Sequence, residues 1–156
     1  GTQVARLAKA FGMRILVYDI VKLDKSVLNE VGAKVVPLDE LLSSSDFVSL
    51  HVTLTDETYH MIDEERLSKV KKGAYLINTA RGPVLDERAL LNALEDGSIK
   101  RAALDVFEVE PPGSSELVKL HNIVATPHIG AQTREAQELA ATLLAEKIIE
   151  FLSKQG

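Results

Sequence analysis

The chain lacks cysteine and tryptophan, and aromatic residues make up only 4% of its 156 residues. The lack of cysteine excludes disulfide bonds, thiolate catalysis and cysteine-ligated zinc, and it fits a reducing compartment. No apolar run approaches the roughly 20 residues that a membrane-spanning helix needs, and the N-terminus has no basic-then-apolar signal pattern. We therefore expect a cytoplasmic protein with no membrane partner.

Long basic stretches are also absent, since no run of lysine or arginine is longer than Lys71-Lys72. The chain has 18 basic and 23 acidic residues and a formal net charge of -5. This balance does not favour a polyanion, so we expect no nucleic-acid partner. The length and the 46% share of apolar residues suffice for one globular domain with its own core.

Short β-branched runs alternate with helix-period segments, which is typical of an α/β fold with helices around a parallel sheet. The runs are mostly continuous and apolar, so we expect strands that are covered on both faces. The predicted strands are Arg14–Asp19, Lys34–Pro37, Phe47–Val52, Ala74–Thr79, Arg101–Phe107 and Asn122–Thr126.

Four helices have recognisable boundaries. The first covers Thr2–Phe11. Asp39 and Asp86 each precede an apolar-periodic stretch and are predicted to be N-caps, and the helix after Asp86 should end at Gly97. The last helix, over residues 133–153, would be about 30 Å long and should leave the body of the domain.

The start of the chain matches the middle of a dinucleotide-binding βαβ unit. Gly1 corresponds to the third glycine of the motif G-x-G-x-x-G. Asp19 corresponds to the acidic residue that follows this turn by about 20 residues. We therefore expect a Rossmann-like doubly wound parallel sheet that lacks its first, central strand and the start of the glycine turn. On this interpretation the chain is a fragment of a longer protein.

Polar residues follow the carboxyl ends of several predicted strands, where open α/β sheets bind their ligands. They are Asp19, Arg81, Asp105, Glu110 and His128. An arginine can hold a substrate carboxylate bidentately while a histidine moves a proton at the neighbouring oxygen. We expect these side chains to meet in one crevice.

Three motifs carry a resemblance to a known family. They are Asn-Thr-Ala-Arg-Gly at 78–82, Leu-Asp-Val-Phe-Glu-Val-Glu-Pro at 104–111 and Ala-Thr-Pro-His-Ile-Gly at 125–130. In this order they resemble the D-isomer-specific 2-hydroxyacid dehydrogenase family, and the match runs from Gly1 to about Phe151. The run from Thr126 to Gln137 is most similar to the members that act on D-3-phosphoglycerate.

The resemblance implies an NAD-binding domain over residues 1–156, without the substrate domain, in a protein that oxidises or reduces a small D-2-hydroxyacid. A homodimer or higher homo-oligomer is implied as well. Three alternatives stay open: a related glyoxylate or hydroxypyruvate reductase, a non-catalytic NAD-sensing protein similar to corepressors, and a Rossmann methyltransferase.

The catalytic residues implied are Arg81, Glu110 and His128. His128 would be the general acid/base, because imidazole titrates near neutrality. Glu110 would bind the other ring nitrogen and stabilise the imidazolium, although Glu108 is a competing partner. Arg81 would bind the substrate carboxylate through its planar fork, and Asp105 would hold the nicotinamide carboxamide.

The resemblance also implies a set of residues that contact NAD. Asp19 would bind the adenosine ribose and repel the extra phosphate of NADP. The family usually has proline where this chain has Thr53, which should loosen that loop. No metal site is expected, and His60 and His121 are predicted to lie on solvent-facing loops. The other positions expected to line the cofactor are Gly1, His51, Thr53, Thr79, Ala80 and Gly130.

Overall fold

A computed structural model describes residues 1–154 and shows an α/β fold in which every strand pair is parallel. The strands are β1 Leu16–Val17, β2 Lys34–Val35, β3 Phe47–Leu50, β4 Ala74–Asn78, β5 Ile99–Leu104 and β6 Ile123–Ala125. The α-helices are α1 Thr2–Ala10, α2 Lys25–Val31, α3 Leu38–Ser44, α4 Glu64–Lys69, α5 Glu87–Glu95 and α6 Arg134–Ser153. Two short 3-10 helices cover Gly82–Val84 and Leu117–Lys119. The predicted fold class is confirmed.

The strands form two separate sheets. One has the order β1-β2, and the other has the order β3-β4-β5-β6. Within residues 1–154, β1 pairs only with β2. In the same part of the chain, the strand β3 lies at the edge of the larger sheet and pairs only with β4. The break therefore falls between β1 and β3, where the sequence predicts a central strand.

The hydrophobic core lies on one face of the larger sheet. Leu76 of β4, Ile99 of β5 and Leu90 of α5 are almost completely buried, and they belong to one cluster with side chains from α3 and α4. The opposite face is open, since Phe47 stacks on Tyr75 there and Phe47 remains 51% exposed. The prediction that the strands are covered on both faces is wrong for this sheet.

The open face reflects the positions of the first and last helices. None of the residues of α1 or of α6 is buried, so neither helix covers the sheet in the part of the chain that the structure describes. The predicted long C-terminal helix is confirmed, with Thr133 as its N-cap. No helix within residues 1–154 has both the length and the apolar character needed to cross a membrane.

The predicted helix boundaries are partly confirmed. The side chain of Asp86 accepts a hydrogen bond from Ala89 N–H at 2.9 Å and caps α5. The prediction for Asp39 is wrong: α3 begins at Leu38 directly after Pro37. Proline has the fixed φ that allows a helix to start after it, and Asp39 lies in the first turn, where its charge interacts favourably with the helix dipole.

The predicted strands are longer than the observed ones. The segment Arg14–Asp19 pairs only over Leu16–Val17, because β1 has a neighbour on one side alone. The strands β3, β4 and β6 each end one or two residues earlier than predicted. Consequently the polar residues that follow them lie on turns at the sheet edge.

Candidate active site

The turns after β5 and β6 bring Glu110 and His128 together. The two strands are parallel neighbours, so their carboxyl ends lie at the same edge of the sheet. The distance between His128 Nδ1 and Glu110 Oε2 is 2.7 Å, and Glu110 Oε1 accepts a hydrogen bond from Phe107 N–H at 3.1 Å. The bond from His128, reinforced by that from Phe107, lowers the pKa of Glu110. An ionised Glu110 accepts a hydrogen bond from Nδ1–H, which leaves Nε2 available to a substrate.

Asp105 supports the turn that carries His128. Its Oδ1 accepts hydrogen bonds from the Thr126 hydroxyl at 2.5 Å and from Ile129 N–H at 2.9 Å. Its Oδ2 accepts one from Gly130 N–H at 2.9 Å. Burial by itself raises the pKa of Asp105, but these three bonds outweigh burial, and the net pKa is lowered. The predicted contact from Asp105 to the nicotinamide stays a prediction.

His128 itself has a left-handed backbone, with φ of 54°. Non-glycine residues seldom adopt this conformation, which persists where the surrounding structure holds it in place. The bonds that Asp105 receives from the residues on either side of His128 provide that support. The imidazole therefore projects from a turn that is fixed at several points.

Arg81 lies on the turn after β4, which a buried asparagine shapes. Asn78 accepts a hydrogen bond from Ala80 N–H and donates one to Arg81 C=O, each at 3.0 Å. The guanidinium donates to Ala80 C=O at 2.6 Å and forms no ion pair with a carboxylate within residues 1–154. Most of its donors are therefore available for an anionic ligand.

A cavity of about 270 Å³ opens beside Arg81. The helix α1 begins next to it with Gly1 as an N-cap that provides no side-chain bond, so the free N–H groups of the first turn can bind phosphate. This donor set fits the pyrophosphate of a dinucleotide. The predicted cofactor residues Gly1, His51, Thr53, Thr79 and Ala80 line the cavity together with Val52 and Arg81.

His51 contributes an imidazole to this cavity. Burial lowers its pKa. Its Nε2 lies 2.9 Å from the Ser49 hydroxyl. The ring lines the same cavity as Gly1 and can form a hydrogen bond with a ligand bound there.

Asp19 is not brought into contact with the other candidate residues. It follows β1, and its side chain accepts a hydrogen bond from Val21 N–H at 2.9 Å. The carboxylate is exposed and retains a second oxygen that could accept a bond from a ribose hydroxyl. Its predicted role toward NAD stays a prediction.

Two of the sequence interpretations need correction or completion. Glu108, the competing partner for His128, instead bonds to the N-terminus of α5 through Glu87. His60 is not on a solvent-facing loop: its side chain is 29% exposed and lies beside Glu108. His121 is exposed, as predicted. The sequence analysis missed the contributions of Asn78 and Thr126, although both lie inside the motifs that carry the resemblance.

Comparison with known proteins identifies the family. Residues 1–130 match the model of the D-isomer specific 2-hydroxyacid dehydrogenase, NAD binding domain. The chain belongs to this family. NAD is therefore the cofactor of the domain, in agreement with the sequence prediction and with the phosphate-binding geometry at α1.

Members of this family with different names are similar to the chain. A glyoxylate reductase of Korarchaeum cryptofilum is 51% identical over 97% of the chain and 46% of its own length. A D-3-phosphoglycerate dehydrogenase of Methanocaldococcus jannaschii is 47% identical over 97% of the chain and 29% of its own length. The chain thus spans less than half of these relatives.

The fold also matches a solved family member. The crystal structure of D-lactate dehydrogenase from Aquifex aeolicus, complexed with NAD and lactic acid, has a TM-score of 0.89 and 40% sequence identity. The match covers 99% of this chain and 50% of that one. The Rossmann-like architecture of the domain is therefore that of the dehydrogenase family.

Proposed function

We propose that the protein containing this chain interconverts a small D-2-hydroxyacid and its 2-keto acid, with NAD as hydride carrier. The observation that carries the proposal is the 2.7 Å contact between His128 Nδ1 and Glu110 Oε2. A carboxylate held on one ring nitrogen orients the other nitrogen and stabilises the imidazolium. A histidine in this state can act as the acid/base of alcohol oxidation.

The proposed mechanism gives each residue one task. Arg81 binds the substrate carboxylate through two parallel N–H donors. In the oxidation direction, His128 Nε2 takes the hydroxyl proton, and Glu110 stabilises the charge that forms on the ring. Bound NAD would supply the hydride acceptor for the carbon that bears this hydroxyl, and NADH the hydride donor in the reverse direction. In reduction, the imidazolium returns the proton to the carbonyl oxygen.

The turn of Arg81 and the turn of Glu110 are in direct backbone contact, which supports their joint action. A Cβ at Gly82 would overlap with the carbonyl group of Phe107 and the N–H of Glu108. Only glycine therefore permits this approach. The contact fixes the arginine turn against the segment that carries the partner of His128.

Two substrate classes are candidates, because glyoxylate reductase and D-3-phosphoglycerate dehydrogenase are both among the similar relatives. Arg81 is the only cationic side chain among the residues that line the cavity, and one guanidinium suits one carboxylate. Glyoxylate or hydroxypyruvate needs no further cation. The phosphate of D-3-phosphoglycerate would need a second anion site outside this cavity.

Turnover by the full-length protein tests the function. NADH oxidation is followed with glyoxylate, hydroxypyruvate and 3-phosphohydroxypyruvate in parallel. The proposal predicts substrate-dependent oxidation with at least one of the three, and the preferred substrate distinguishes the two classes. Saturable NADH binding without turnover of any 2-keto acid would instead indicate a protein that senses NAD.

A further inference from the structure

The segment that carries Glu110 is joined to the N-terminus of α5 by a reciprocal pair of hydrogen bonds. Glu108 Oε1 accepts a bond from Glu87 N–H at 2.9 Å. Glu87 Oε1 accepts a bond from Glu108 N–H at 2.6 Å. Each glutamate thus binds the backbone of the other. This arrangement holds the segment at a residue two positions before Glu110.

His60 adds a third element to this junction. Its Nε2 lies 3.2 Å from Glu108 Oε1, and its Nδ1 lies 3.9 Å from Asp86 Oδ2. The His60 backbone is itself fixed, because its N–H donates to Pro83 C=O at 2.8 Å. The Nε2 atom is buried and has no hydrogen-bond partner among the described residues, so its contact with Glu108 is a close approach only. Glu108 is therefore the group on the Glu110 segment that faces both α5 and the loop before α4.

The same junction includes the turn of Arg81. Gly82 touches the backbone of Phe107 and Glu108 so closely that a Cβ would overlap with it. A displacement of Glu108 would therefore act in two directions, toward the arginine turn and toward Glu110. The Phe107 N–H group, which donates a hydrogen bond to Glu110 Oε1, is part of the segment that Gly82 contacts.

We propose that Glu108 is a positioning residue, which together with Glu87 holds the 107–110 segment so that Glu110 meets His128. The catalytic role of the contact between Glu110 and His128 rests on the proposed function. Glu108 is not a catalytic residue, since its carboxylate binds α5 and faces His60 instead of the substrate crevice.

The pKa of Glu110 reports whether this positioning is intact. It is lowered by the hydrogen bonds from His128 and Phe107, and both bonds depend on the placement of the segment. The pKa can be measured in the full chain by carbon-13 NMR of the side-chain carboxyl group during a pH titration. This readout requires neither NAD nor turnover.

Three chains are compared: wild type, Glu108→Ala and Glu116→Ala. Glu116 is a matched control, because it pairs with Arg88 of the same helix at 3.5 Å and lies outside the 107–110 segment. We expect Glu108→Ala to raise the pKa of Glu110 toward the ordinary range of glutamate, and Glu116→Ala to leave it at the wild-type value. Equal values in a folded Glu108→Ala chain and the control would overturn the proposal.

If circular dichroism shows that Glu108→Ala does not fold, a second variant, Glu108→Gln, tests the proposal instead. Glu108→Gln keeps an acceptor for Glu87 N–H and loses the charge that faces His60. We expect a smaller upward shift of the Glu110 pKa in this variant, and no shift would overturn the proposal. If the shift occurs while the full-length protein shows no dehydrogenase activity, the positioning role stands and only the proposed function fails.

Discussion

The carboxylate of Asp105 accepts a hydrogen bond from the backbone N–H of Gly130 at 2.9 Å. Two further bonds come from Thr126 and Ile129, so Asp105→Ala would leave three donors without their acceptor. The donating residues are partly or largely exposed, so water can replace some of the lost bonds, and a bond to a charged acceptor contributes up to about 1.5–3 kcal/mol. We expect the free energy of unfolding to fall by about 1–3 kcal/mol in urea denaturation. Asp46→Ala, which removes only an exposed ion pair, should cost less than about 1 kcal/mol.

The stabilisation by Asp105 should depend on pH. Its pKa is lowered in the folded chain because the hydrogen bonds outweigh burial. Such a carboxyl group stabilises the fold above its unfolded pKa, about 3.9 for aspartate, and the contribution is lost as the pH falls through the folded pKa. We expect the stability difference between wild type and Asp105→Ala to be largest above about pH 5. It should shrink on acidification, and a difference that grows in acid would contradict this account.

Two aspartates near helix starts should differ in their effect on stability. Asp86 caps α5 through Ala89 N–H, and loss of such a cap costs about 0.5–2 kcal/mol. Asp39 caps nothing and forms only an exposed ion pair with Lys69. We therefore expect Asp86→Ala to lower the free energy of unfolding more than Asp39→Ala does. The reverse order would show that the helix boundaries are misassigned.

Asp19 should set the choice between the two nicotinamide cofactors. Its exposed carboxylate would lie near the ribose, where the 2′-phosphate of NADPH would meet a like charge. Fluorescence titration of the full-length protein should give tighter binding of NADH than of NADPH. Asp19→Asn should narrow the ratio of dissociation constants by roughly fivefold or more. Asp46→Asn, directly before β3 in the other sheet, should leave the ratio unchanged.

The sequence predicts the contact between Glu110 and His128 but not the open face of the sheet. Glu110 and His128 follow consecutive parallel strands, so their proximity follows from topology. Burial of the second sheet face depends on the positions of α1 and α6. These positions cannot be predicted from the residues of the strands. The Phe47–Tyr75 stack on the open face illustrates the difference.

Some local features could have been predicted but were not. Asp24 caps α2 and Gly32 ends it with φ of 68°, which are ordinary boundary signals. The Glu87–Glu108 pair is a different case, because the two residues are 21 positions apart. Each glutamate by itself is typical of a solvated surface. Only the folded backbone shows that each carboxylate meets the other's N–H group.

The most direct test of the account is the effect of His128→Ala on kcat/KM in the full-length protein. General acid/base catalysis contributes about 10²- to 10⁴-fold, so a loss in this range is expected with the preferred 2-keto acid and NADH. NADH binding should be retained, and His121→Ala, at an exposed histidine, should behave as wild type. A kcat/KM for His128→Ala within a few-fold of wild type would contradict the proposed mechanism.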